Sequence, residues 1–258
     1  MDNRALIEVC VDSMASVRAA VSGGADRLEL CANLIIGGTT PSPQLIRQAA
    51  ALGVPVNVLI RPRFGDFCFT QEEKDEQLAQ IRELRALGAH GAVVGAQTPD
   101  GELDRPFLAA CREAADGLSL TLHRAFDVCR DAGRALEEAI DLRFDTILTS
   151  GQRATACEGA ALLADLVSQA AGRITIMPGG GVNAENLPEL ARRTGARAFH
   201  LSAKRTVDSA MRFRREGVPM GLPMMSEFTG YVTDERQVRR CRQALLKTLA
   251  CGETEMRG

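Results

Sequence analysis

The chain has 258 residues, 45% of them hydrophobic and 25% charged, with a formal net charge of −2. That balance is ordinary for a soluble globular protein and gives no electrostatic case for nucleic acid or a membrane as partner. One Tyr and no Trp offer little for stacking on bases, and no apolar run reaches the roughly 18 residues of a membrane span.

The opening MDNRALIEVC has no apolar stretch of the signal-peptide kind, and the eight Cys contain no CxxC pair. The expected location is the cytoplasm, where the thiols stay reduced, packed or metal-ligating. Short apolar runs then follow in order: LIEVCVD at 6–12, RLELC at 27–31, VNVLIR at 56–61, GAVVGA at 91–96, LSLTLH at 118–123, DTILTS at 145–150, ITIMP at 174–178 and AFHLS at 198–202. Helix signals fill the gaps between them. Ser42 before Pro43 is an N-cap and first-turn pair. Thr70 with Glu73 is a capping box, and Asn183 caps the segment after it. Gly24, Gly53, Gly88 and Gly195 stand where a left-handed residue stops a helix before the next strand.

Eight β-then-α units predict an α/β fold, a (β/α)8 TIM barrel forming one domain over 1–258. A doubly wound open sheet is the runner-up, but the dinucleotide glycine spacing is missing from PGGGVNAEN. After residue 221 the pattern fades. MGLPMMSEFTGYVTDE reads as a loop and RQVRRCRQALLKTLA as a final helix. Met220, Met224 and Met225 read as gap fillers under that loop.

Strand side chains alternate between two faces. The aliphatic sets, such as Ile7, Val9 and Val11 or Val56, Val58 and Ile60, belong against the helices. The other parity points into the barrel: Glu8, Cys10, Asp12; Glu29, Cys31; Asn57, Leu59, Arg61; Ser119, Thr121, His123; Ile147, Thr149; Thr175, Met177; His200, Ser202. A sheet covered on both faces is normally apolar on both, so this polar lumen marks a site, expected at the strand C-terminal ends.

Within it, Glu8 and Glu29 each stand two residues before a Cys, on neighbouring strands. Either the Cys are small packed residues with each Glu paired to an Arg, or the four groups form a site. Arg61, Arg63 and Asp66 follow the third strand. The two Arg either fork an anion or neutralise Glu8 and Glu29. His123, Arg124 and Asp127 end the fifth strand, and His123 is an acid, a base or a ligand unless it is a structural His. His200 and Ser202 take the same place on the eighth. Gly179, Gly180 and Gly181 could let backbone N–H groups approach a phosphate, or serve the turn sterically.

EVCVDS, GGADRLELC, GGTTPS, IRPRFGDF, HRAFD, LTSG, MPGGGV and FHLSA, in that order over roughly residues 6–221, resemble the CutC copper-homeostasis proteins. Phe64 and Leu122 depart from that pattern. The resemblance implies a TIM barrel, a cytoplasmic location and a role in intracellular copper handling, with Cys10 and Cys31 as ligands of Cu(I). Soft thiolates suit that ion, and strands about 4.8 Å apart can bridge it. The expected partners are a copper ion, a small anionic ligand and a second copy of the chain in a homo-oligomer, with neither nucleic acid nor membrane. The alternative is an enzyme acting at the barrel mouth on a small phosphorylated or carboxylated metabolite, with Glu8, Glu29 and His123 as its catalytic groups.

Overall fold

The computed structural model describes residues 5–215, 217–218, 220–221 and 226–255. Eight strands alternate with helices: β1 (Leu6–Val11), α1 (Met14–Gly23), β2 (Arg27–Leu30), α2 (Pro43–Ala50), β3 (Val56–Leu59), α3 (Gln71–Glu83), β4 (Gly91–Val94), α4 (Arg105–Ala115), β5 (Ser119–Leu122), α5 (Ala132–Asp141), β6 (Thr146–Thr149), α6 (Ala160–Ala170), β7 (Thr175–Pro178), α7 (Leu187–Thr194) and β8 (Ala198–Leu201). Parallel ladders join β8 to β1 and then each strand to the next as far as β7. β7 and β8 lie side by side, with no ladder between them among the described residues, so the barrel is nearly closed.

The local signals act as their chemistry requires. The Ser42 side chain accepts from the Leu45 N–H at the start of α2. Thr70 and Glu73 form the reciprocal capping box of α3. Gly24 ends α1 with φ 88°, and its N–H reaches the Ala20 and Val21 carbonyls, a conformation that costs a residue with a Cβ. Asn183 accepts from the Glu185 and Asn186 N–H groups, so it organises the turn before α7 rather than the first turn of the helix itself.

Ile7, Val9, Val11, Leu28, Leu30, Val58, Ile60, Leu122 and Phe199 are fully buried in one cluster between strands and helices. Each such side chain contributes roughly 1.5–3 kcal/mol through burial. The parity reading therefore holds on six of the seven strands to which it was applied and fails on β6. There Ile147 joins the outer cluster, and Leu148 packs with Met177, Ala198 and Leu6. Thr149 Oγ1 bonds Asp127 and the Gly151 N–H. Both faces of TILT carry one apolar and one polar residue, so alternation gave no contrast to read.

A further correction concerns the C-terminal segment. Part of the predicted loop is a strand: β9 (Lys204–Asp208) pairs antiparallel with β10 (Thr229–Thr233), ahead of α8 (Glu235–Glu255). Met220 is exposed rather than packed, and Met224 and Met225 lie outside the described residues. A cavity of about 750 Å³, lined by Leu6, Arg27, His90, Ser119, Thr146 and Thr175 among others, opens at the N-terminal ends of the strands, opposite the predicted mouth. Small residues there (Ala5, Gly172, Gly195, Ala196) leave that end unfilled, while the polar groups at the other end are packed together.

Thr70→Ala should cost about 1 kcal/mol of stability by removing the α3 cap. Urea denaturation checks this as a lower midpoint with an unchanged slope.

Candidate metal and ligand site in the barrel lumen

The register of β1 sets Glu8 opposite both Arg27 on β2 and His200 on β8. All three side chains turn inward and meet. Arg27 Nε donates to Glu8 Oε2, His200 Nδ1 lies 2.8 Å from Glu8 Oε1, and Arg27 Nη2 reaches Met177 Sδ at 3.5 Å. Glu8 is wholly buried. Burial alone would push its pKa up, but Arg27 and His200 outweigh it and hold the carboxyl at about 2. Burial likewise works against the His200 cation. Cys10, Glu29 and Glu8 around the ring nevertheless raise its pKa well above the ordinary value.

With Nδ1–H given to Glu8, the Nε2 of His200 is directed elsewhere, 3.8 Å from Glu29 Oε2. A carboxylate that fixes the tautomer in this way is the usual support of a metal-ligating imidazole. The next register pair, Cys10 with Glu29, supplies the other two groups. Ligand atoms of Cys10, Glu29 and His200 all lie within 4.8 Å of one another, and Cys10 is partly exposed. Burial, together with the nearby Glu8, raises the pKa of Glu29.

Cys31 joins this cluster through Glu29. Its thiol, fully buried, donates to Glu29 Oε2 at 3.5 Å, and burial and Glu29 push its pKa well up. Leu59, Val93 and Leu34 wall it in. The turn at Gly37–Gly38 closes over it: Gly38 has φ 86°, and a Cβ there would sit 2.7 Å from Leu59 and 3.7 Å from the Cys31 sulfur. The Glu29 carboxylate that accepts the Cys31 thiol also lies within 4.8 Å of the Cys10 sulfur.

The remaining predicted residues separate. Arg63 bonds Glu73 and Asp66 and three nearby groups of its own loop, so Arg63 and Asp66 staple that loop to α3 instead of forking a ligand. Arg61 pairs with neither Glu8 nor Glu29. Its Nη1 donates to the Gly37 and Gly38 carbonyls and its Nη2 to Gly65. Asp127 accepts from Thr149, from the Ser150 and Gln152 N–H groups and from Arg124, which makes it the organiser of the loop after β6. Arg124 also donates to Ser150 Oγ and lies beside Gly180.

Gly179 has a steric role, because a Cβ there would meet Leu148 at 2.5 Å and His200 at 3.3 Å. Gly180 and Gly181 have φ 97° and 77°, and their carbonyls hold the Ala156 N–H and the Asn186 side chain. Ser202 is half-buried. His123 is buried and packs against Phe67, ring centroids 4.7 Å apart. Burial, then the Arg61 charge, lowers its pKa to about 3.

Sequence reasoning missed Arg27, Phe67 and Gly95. Arg27 shares the parity of Glu29 and Cys31, a signal that was available. Gly95 follows β4, where a Cβ would fall 2.5 Å from the His123 ring.

A profile of the CutC family matches residues 5–205. A CutC family protein of Parabacteroides distasonis is 48% identical over 237 residues, covering 91% of this chain and 98% of that one. The human copper homeostasis protein cutC homolog is 44% identical over 241 residues, covering 92% and 88%. A solved CutC structure from Streptococcus agalactiae superposes with a TM-score of 0.73 at 32% identity, over 76% of this chain and 97% of that one. Thiamine phosphate pyrophosphorylase from Pyrococcus furiosus, at 15% identity and a TM-score of 0.58 over 96% and 98%, shares the fold.

Removing one partner of the buried network leaves the other charge uncompensated. Glu8→Ala should therefore cost about 3–5 kcal/mol, read by chemical denaturation. Acid should weaken the fold in two stages. His123 has a depressed pKa, so its contribution, complete above the ordinary 6.5, is lost as pH falls toward 3. Glu8, also depressed, adds its loss from 4.5 downward toward 2. Melting temperature against pH should bend near both upper values, and His123→Asn should reduce the first bend to the part left by His90, whose pKa burial also lowers.

Proposed function

The chain belongs to the CutC family, and on that premise we propose that it binds Cu(I) in the barrel lumen and serves intracellular copper homeostasis in the cytoplasm. Relatives named for copper homeostasis support the role. One observation carries the site: the convergence of Cys10, Glu29 and His200 within 4.8 Å, with the His200 tautomer fixed by Glu8. The ion is cargo here rather than a resident cofactor.

Cys10 and Cys31 provide the thiolates in this reading, and His200 Nε2 provides the third donor once the ion displaces the proton that its acidic neighbours favour. Thiolate and imidazole donors suit a soft ion and disfavour Mg²⁺ or Ca²⁺. A thiol must lose its proton before it ligates. Glu29, already the acceptor of the Cys31 S–H and with its pKa raised, is the base in position to take that proton. Cys10 is the partly exposed member and makes first contact. Cys31 then binds from beneath the Gly37–Gly38 turn.

The reduced protein should take up about one Cu(I) per chain against a competing chelator, with affinity rising with pH because thiol protons are released. The Cys10→Ser, Cys31→Ser double variant should lose this uptake. Cys111→Ser and Cys241→Ser should keep it, since both thiols are buried outside the lumen cluster. Equal uptake by the wild type and the double variant would overturn the reading.

A further inference from the structure

We propose that Arg61 and His123 form a second site in the lumen, a receptor for the carboxylate of a small organic acid, distinct from the Cys10–Glu29–His200 cluster. The case begins with charge. Arg61 is only 7% exposed, yet every partner of its guanidinium is a neutral carbonyl: Gly37, Gly38 and Gly65. No carboxylate among the described residues pairs with it. A buried charge ordinarily has a counterion, and Glu8 is already committed to Arg27 and His200.

Hydrogen-bond bookkeeping leads to the same place. The Arg61 Nε is buried without a partner, and so is the Nε2 of His123. His123 is 5% exposed, and its Nδ1 accepts the Ala125 N–H at 3.1 Å. That bond places the ring proton on Nε2, so both orphaned atoms are N–H donors. Buried donors normally find acceptors, and each one left alone costs about 1–3 kcal/mol.

The two groups share one wall. The Arg61 guanidinium lies 4.9 Å from the Phe67 ring centroid, and the His123 imidazole packs against the same ring at a tilt of 44°. The missing side chain of Gly95 makes room for the imidazole.

Chemistry narrows the ligand. The unpartnered Arg61 Nε–H and His123 Nε2–H, with one uncompensated positive charge, match the two oxygens and single charge of a carboxylate. A phosphate brings a second charge, which this single guanidinium would leave uncompensated. The half-buried Phe67 ring offers an apolar surface to the rest of an organic acid.

The test uses the metal-free, full-length protein with ¹⁵N-labelled histidine. Acetate, pyruvate and inorganic phosphate are titrated separately at constant ionic strength. The His123 side-chain resonance is assigned by its absence in His123→Asn. Acetate or pyruvate should move it saturably, and should raise the pH at which His123 titrates, because an anion beside it favours the protonated ring. Arg61→Gln should weaken the response roughly 10- to 100-fold, the value of one charge-assisted hydrogen bond. The Cys10→Ser, Cys31→Ser variant should respond as the wild type does, which separates this site from the copper site. No saturable movement with either carboxylate in the wild type overturns the proposal, whether or not Arg61→Gln folds. A response unchanged in Arg61→Gln, or one stronger with phosphate than with carboxylates, overturns it equally.

Discussion

A carboxylate with no exposure to water, held between a guanidinium and an imidazole, is the constraint on which the lumen depends. Glu8 is ionised in the interior only because Arg27 and His200 meet it there. Neither partner is near it in sequence. The contact therefore demands that β2 and β8 flank β1 in one register, since a slip of one residue would turn all three side chains to the opposite face. The same bond gives His200 its tautomer, and with it the direction of its second nitrogen.

Two groups of residues share the lumen above that base, and they differ in kind. Around Cys10 stand groups of the metal-ligating kinds: a soft sulfur, a hard carboxylate oxygen and an imidazole nitrogen. Around His123 they are N–H groups beside a positive charge. The turn at Gly37–Gly38 stands between the two, with its carbonyls on Arg61 and its backbone against Cys31. Arg61 thus belongs to one group and steadies the cover of the other.

Much of the fold and part of the site were legible in the sequence. Alternation placed Glu8, Cys10, Glu29, Cys31, Arg61 and His123 inward because their strands pair aliphatic residues on one face with polar ones on the other. It failed at β6, where Thr, Ile, Leu and Thr give both faces the same character. Pairings were harder to read, because alternation fixes direction but says little about partners. Arg63 reads as forking an anion or neutralising Glu8 and Glu29, but loop geometry gives it to the capping residue Glu73. Arg27 went unnoticed at the edge of its strand although it holds the central charge. The ribbon of β9 and β10 was hidden because its exposed strands have no buried face to leave a hydrophobic pattern.

The closing ladder of the barrel joins its first strand to its last, β1 to β8, which are almost two hundred residues apart in the chain. During synthesis Glu8, Cys10, Glu29 and Cys31 emerge early, while His200 arrives only when most of the protein has been made. Long-range pairings of this kind form slowly and late. Until β8 docks, Glu8 has one cationic partner instead of two, and Cys10 and Glu29 lack their imidazole neighbour. An incomplete chain emerging from the ribosome therefore exposes thiols without the finished cluster. Possession of the complete site is in this sense a certificate that the barrel has closed.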